Sequence, residues 1–175
     1  SLVDTGVDFL KPYASQIAVF SPGNHETAIL SHHETDLTER TVERLRGNEN
    51  STIHKGGYSG WVIFRVRVKN SNTVESFKLF YHHGYGGAAP VTRGVIQASR
   101  MGLTYPDANV VVTGHTHGNW VFPIPRIRMS NKGTMQKDEQ YHIKTPTYKD
   151  DFQDGYGGWG IEKGFSPTPI GAVWM

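Results

Sequence analysis

Three short histidine-bearing motifs follow one another along the chain: Gly23-Asn24-His25-Glu26, His82-His83-Gly84 and Gly114-His115-Thr116-His117-Gly118. Imidazole nitrogens and amide oxygens are ligands that divalent transition metals accept. Nine histidines are spread over 175 residues, and five of them fall inside these strings. Each string stands where an apolar run meets glycine. Ends of strands are where open α/β sheets collect their ligands. Chemistry and position together point to metal-assisted hydrolysis.

The elements that must carry these residues follow from periodicity and breakers. Gln16–Phe20 reads as a short buried strand, broken by Ser21-Pro22-Gly23, which leaves Asn24 and His25 on the turn beyond it. Val7 to Tyr13 reads as the tail of a helix halted by Pro12. A helix is predicted over Thr35–Arg46, capped by Thr35 or Asp36 and ended by Gly47, and Asn48–Gly60 reads as loop. Trp61–Lys69 alternates apolar and basic residues, a half-buried strand whose hairpin partner is Val74–His83. On that partner Phe77, Leu79, Tyr81 and His83 share one face by parity, and His82 takes the other. A glycine-rich loop, a helix over Thr92–Met101 and the strand Asn109–Thr113 come next, the last feeding directly into His115. On extended backbone His115 and His117 point the same way. Trp120–Met129 and Glu139–Lys144 read as strands, and Ala172–Met175 as a last apolar stretch. Strands and helices interleave without repeat or long linker, so the expectation is one α/β domain over residues 1–175.

These three strings, in this order, resemble the calcineurin-like metallophosphoesterase family over about Gln16 to Trp120. The resemblance implies a two-sheet αββα sandwich and a pair of divalent ions (Mn, Fe, Zn, Co or Ni). It implies that Asn24, His83 and His115 bind one ion, that His117 binds the other, and that His25 is the catalytic acid. His82 is the alternative middle ligand. The reaction implied is hydrolysis of phosphomonoesters or phosphodiesters by a bridging hydroxide, with His25 protonating the departing oxygen. Arg93 and Tyr85 are expected to touch the substrate, and Tyr58 is a further residue for the pocket wall. The family's Asp-x-His and Gly-Asp-x-x-Asp motifs are missing. Asp4 and Asp8 have neither the spacing nor the preceding glycine. The expectation is therefore a chain that lacks its first strands, with an unpaired sheet edge open to a second copy or a partner chain. The alternatives are a nuclease of the same family and a non-catalytic module that binds metal weakly until a partner completes it. A third is a structural metal protein, in which one tightly held zinc stabilises the fold without hydrolysis.

Other features have plainer readings. Asn24 alone could be a turn residue, and His82-His83 alone an exposed polar pair. His32-His33 is expected in a solvated loop before a helix, and His54 and His142 at the surface. Arg65, Arg67 and Lys69 read as a solvated face, and Tyr156, Trp159, Phe165 and Trp174 as closing a core or a sheet edge. A net charge of +2 allows an anionic substrate without arguing for nucleic acid. Cysteine is absent, which excludes disulfides, thiolate metal sites and thiol nucleophiles. No run reaches the ~20 apolar residues of a membrane span, and no signal-peptide pattern opens the chain, so a cytoplasmic location is expected.

Overall fold

A computed structural model describes residues 2–47, 51–87, 89, 91–152 and 155–175. The fold is mixed α/β, with a parallel two-stranded sheet and a mixed five-stranded sheet. Contacts divide the chain into two compact units, Ser1–Gly60 and Trp61–Met175, described separately below.

The first unit opens with α1 (Leu2–Leu10), followed by a 3-10 helix over Lys11–Gln16 that takes Pro12 in its first turn. Proline is tolerated there because it lacks only an N–H that has no helical partner. The helical stretch thus continues through Pro12, where the sequence suggested a stop. The strand expected from Gln16 shortens to β1 (Val19–Phe20), since the 3-10 helix absorbs Gln16. Asn24 and His25 do not lie on a turn: they open α2 (Asn24–His33). The reason lies inside the motif. The Glu26 carboxylate accepts the Gly23 N–H at 2.8 Å, which satisfies a backbone donor that a helix start leaves orphaned. His32 and His33 correspondingly form the last turn of α2 rather than a loop, and Glu34 closes it in the left-handed region.

Helix α3 (Leu37–Arg46) begins at Asp36, whose carboxylate accepts the Glu39 N–H at 2.8 Å, and ends at Gly47. Its Val42 and Leu45 pack with Val7, Ala14 and Ile53 in the core of this unit. The expected loop after Gly47 contains β2 (His54–Lys55), which pairs parallel to β1; residues 48–50 lie outside the described residues. Lys55 reaches Asp36 and Glu39 at 2.6 and 2.7 Å, and its hydrogen bond holds the Asp36 carboxyl below the usual range. Asp36 therefore both caps α3 and ties it to β2. Asp36→Ala is expected to destabilise α3 by about 1–2 kcal/mol, chiefly through the lost cap. Faster hydrogen exchange at the α3 amides would register it; unchanged exchange would refute it.

The second unit holds the larger sheet, in the order β3 (Ser59–Arg67), β4 (Val74–His82), β5 (Val110–Thr113), β7 (Met135–Lys144), β6 (Trp120–Met129). β4, β5 and β7 run parallel, and β6 returns antiparallel on β7. Helix α4 (Val95–Thr104) starts three residues later than expected, because Arg93 and Gly94 both have positive φ. Met101 of α4 packs on Phe80, Ala108 and Val111, with Tyr105 stacked on Phe80 at 3.7 Å. The most buried position of β4 is thus Phe80, on the face opposite Phe77, Leu79 and Tyr81. β3 is less covered than a half-buried strand: Trp61, Ile63, Phe64 and Val66 are all exposed. The Ala172–Met175 stretch forms no strand, and a short helix, α5 (Trp159–Glu162), precedes it. Among the described residues no helix is long and apolar enough to cross a membrane.

The largest departure from expectation is on β7. Gln140 and His142, on one face by parity, are buried, whereas Tyr141 between them is exposed. His142, expected at the surface, is only 2% exposed. It is stabilised there by Gln140, whose amide donates to the Tyr105 and Ala108 carbonyls and whose Oε1 meets His142 Nε2 at 2.9 Å. Gly102 of α4 makes room for this polar row: a Cβ there would lie 3.1 Å from Gln140 Oε1 and 3.4 Å from His142 Nε2.

Candidate metal and anion site

The C-terminal ends of the three parallel strands bring the second and third histidine motifs together. β4 ends at His82, β5 at Thr113, and the two strands pair at those residues. The chain then continues as His83-Gly84 and Gly114-His115, and the Gly114 N–H donates to the His83 carbonyl at 3.0 Å. Gly84 permits this approach. It has φ +110°, and a Cβ there would stand 2.8 Å from both the Gly114 carbonyl oxygen and the His115 Cβ.

In consequence His83 Nε2 lies 3.2 Å from His115 Nδ1, with the rings inclined at 66°. Two nitrogens bound at ~2.0–2.1 Å to one tetrahedral ion lie about 3.3 Å apart, so the separation matches the bite of a single cation. His82 is committed differently. Its Nδ1 accepts the Gly84 N–H at 2.8 Å, and burial, with Lys144 nearby, lowers its pKa. Tyr85 meets the His82 ring edge-on at 5.9 Å and is itself exposed.

His115 and His117 are not on extended backbone: their φ angles are +65° and +50°. Their side chains therefore do not follow the alternation of a strand. Left-handed backbone is uncommon outside glycine, and such residues gather at ligand sites where surrounding structure enforces them. His117 is half-buried, and burial is the main cause of its lowered pKa. The Asp151 carboxylate opposes that shift, whereas His115, Lys144 and Lys149 add to it. Asp151 forms an ion pair with Lys149 at 2.5 Å.

Two of these neighbours, Lys144 and Asp151, carry no motif and were not anticipated. Lys144 is only 4% exposed, and burial lowers its pKa to about 8, so it remains mainly an ammonium at neutral pH. In register, His82, Thr113 and Lys144 stand side by side across the three parallel strands. Asn24 and His25 belong to the first unit, where Asn24 is half-buried and His25 exposed at the start of α2. Arg93 is exposed, and its carbonyl accepts the Trp120 indole N–H at 2.9 Å, which fixes its left-handed backbone beside Gly94.

Among the described residues no group of three or more His, Cys, Asp or Glu is gathered closely enough to hold a metal. The chain matches no protein-family model, no curated protein and no solved structure.

Proposed function

We propose that the protein is a metal-dependent phosphoesterase of the calcineurin-like type, acting on phosphomonoesters or phosphodiesters. The observation that carries this reading is the His83–His115 pair, with two imidazole nitrogens 3.2 Å apart at the ends of adjacent parallel strands. The donor set fits a transition metal, because neutral imidazoles suit Mn, Fe, Co, Ni and Zn better than Ca. Under this reading His117, in the same unit, serves a second ion. When bound, such ions polarise phosphoryl oxygens and lower the pKa of water.

The chain's own residues supply the rest. His83 and His115 are held at a fixed separation by Gly84 and by the Gly114 N–H bond to the His83 carbonyl. His82 is left out of the ligand set because its Nδ1 lone pair already serves the Gly84 N–H. The family resemblance gives His25, at the start of α2, the role of proton donor, typically worth 10²–10⁴-fold, to order of magnitude. Arg93 contacts the substrate phosphate and Tyr85 lines the pocket; both are exposed. Cytoplasmic residence is part of the proposal.

An aryl phosphodiester with Mn²⁺ tests it. Turnover that vanishes with a chelator and in His117→Ala is the expected result. A second reading, a non-catalytic module completed by another chain, is favoured by the missing carboxylate motifs. No turnover together with no metal uptake would select it.

A further inference from the structure

Lys144 has no place in the ligand set, yet its surroundings are built. Its stem runs beside Gly118, where a Cβ would fall 2.8 Å from Lys144 Cγ. Farther out, its Cε lies 3.8 Å from the position a Cβ would take on Gly94. Gly94 is the N-cap of α4, a helix of ten residues. Trp120 closes the same corner, 3.8 Å from that Gly94 position and 3.1 Å from the corresponding one on Gly118. The side chain is thus 96% removed from solvent and aimed at the positive end of a helix. Among the described residues its ammonium makes no hydrogen bond or ion pair, and it keeps a little solvent access.

That arrangement is unfavourable in the protein by itself. An ammonium this far withdrawn from water loses most of its hydration without a protein partner, and the α4 dipole adds repulsion. A second polar group is left unsatisfied at the same corner. Gln97 Oε1 is buried without a partner, 3.7 Å from the Gly94 position. The same carboxamide turned end for end presents N–H donors there. A buried cation, a helix N-terminus and an amide have one ligand chemistry in common: a compact oxyanion, which each would bond and which would neutralise the charge.

We propose that Lys144, Gln97 and the N-terminus of α4 form a subsite for a tetrahedral dianion of the phosphate type. Its position, in register with Thr113 and His82, makes it the seat of a phosphoryl group beside the histidine pair. This function-specific placement rests on the hydrolase reading above; the anion site itself does not.

The test uses the whole chain freed of metal with a chelator, and calorimetric titration with inorganic phosphate or with phenylphosphonate. Saturable binding is expected for wild type, weakened at least ~10-fold in Lys144→Met, which removes the charge and keeps the stem. Lys144→Met should also melt at a higher temperature than wild type, because an uncompensated buried charge is gone. Gly118→Ala, which displaces the stem and keeps the charge, should weaken binding as well. Tighter binding of phenylphosphonate than of phosphate identifies a substrate ester as the source; the reverse identifies the free ion. No binding by wild type, or equal binding by Lys144→Met, overturns the subsite. Phosphate binding that depends on Lys144 in a protein without metal-dependent turnover retains the subsite and rejects the hydrolase. Turnover whose KM is indifferent to Lys144→Met does the opposite.

Discussion

Alanine at His83 or at His115 is expected to lower metal-dependent phosphoesterase turnover by at least about 100-fold, and alanine at both to lower it hardly further. Residues that act as one unit are non-additive, because the first loss already removes the function the second supports. The 3.2 Å separation of the two ring nitrogens defines such a unit. His82→Ala makes a contrasting case. His82 accepts a backbone N–H at Nδ1, so its loss should act through stability, with metal uptake retained. Metal stoichiometry measured beside the rates separates these outcomes. Independent, multiplying losses at His83 and His115 would show that they do not share an ion. A large loss of metal at His82→Ala, with His83→Ala unaffected, would reverse their assignments.

Acid should unfold the second unit through His142. Burial, with Arg126 adding to it, lowers the His142 pKa from 6.5 to about 4. The folded unit therefore excludes a proton that the unfolded chain accepts. Stability is fully present above pH 6.5 and is lost as pH falls from there toward 4. The total over that window is about 3 kcal/mol. His82 and His117, also lowered, contribute in the same direction. All four tryptophans lie in Trp61–Met175, so their fluorescence reports this unit alone during urea unfolding. His142→Gln keeps an N–H donor for the Gln140 amide oxygen and removes the titration. A shallower fall in stability between pH 6.5 and 4 is expected for that variant. Identical slopes in variant and wild type would show that another group dominates.

Local rules carried much of the architecture. Val110–Thr113 is an uninterrupted β-branched run, and it forms the buried central strand. The cap at Asp36 and the stop at Gly47 were legible because each acts on backbone groups within a few residues. The histidine motifs were legible as chemistry, since ligand type is a property of the side chain. Glu26 was less so: its carboxylate turns Gly-Asn-His-Glu into a helix start, and a breaker-based reading of Pro22-Gly23 overlooks that.

What the sequence determined by itself was therefore the mixed α/β class, most of the strands, and a set of imidazoles of the type that metals accept. Tertiary structure alone decided that the polar row Gln140, His142 and Lys144 of β7 turns inward. Gln140-Tyr-His-Ile-Lys144 alternates, but alternation is symmetrical, and polarity favours the wrong side until α4 and its Gly102 supply partners and space. The same holds for Lys144. Its burial and its alignment with Thr113 and His82 come from strands distant along the chain, and register between such strands is set by packing, not by any neighbouring residue.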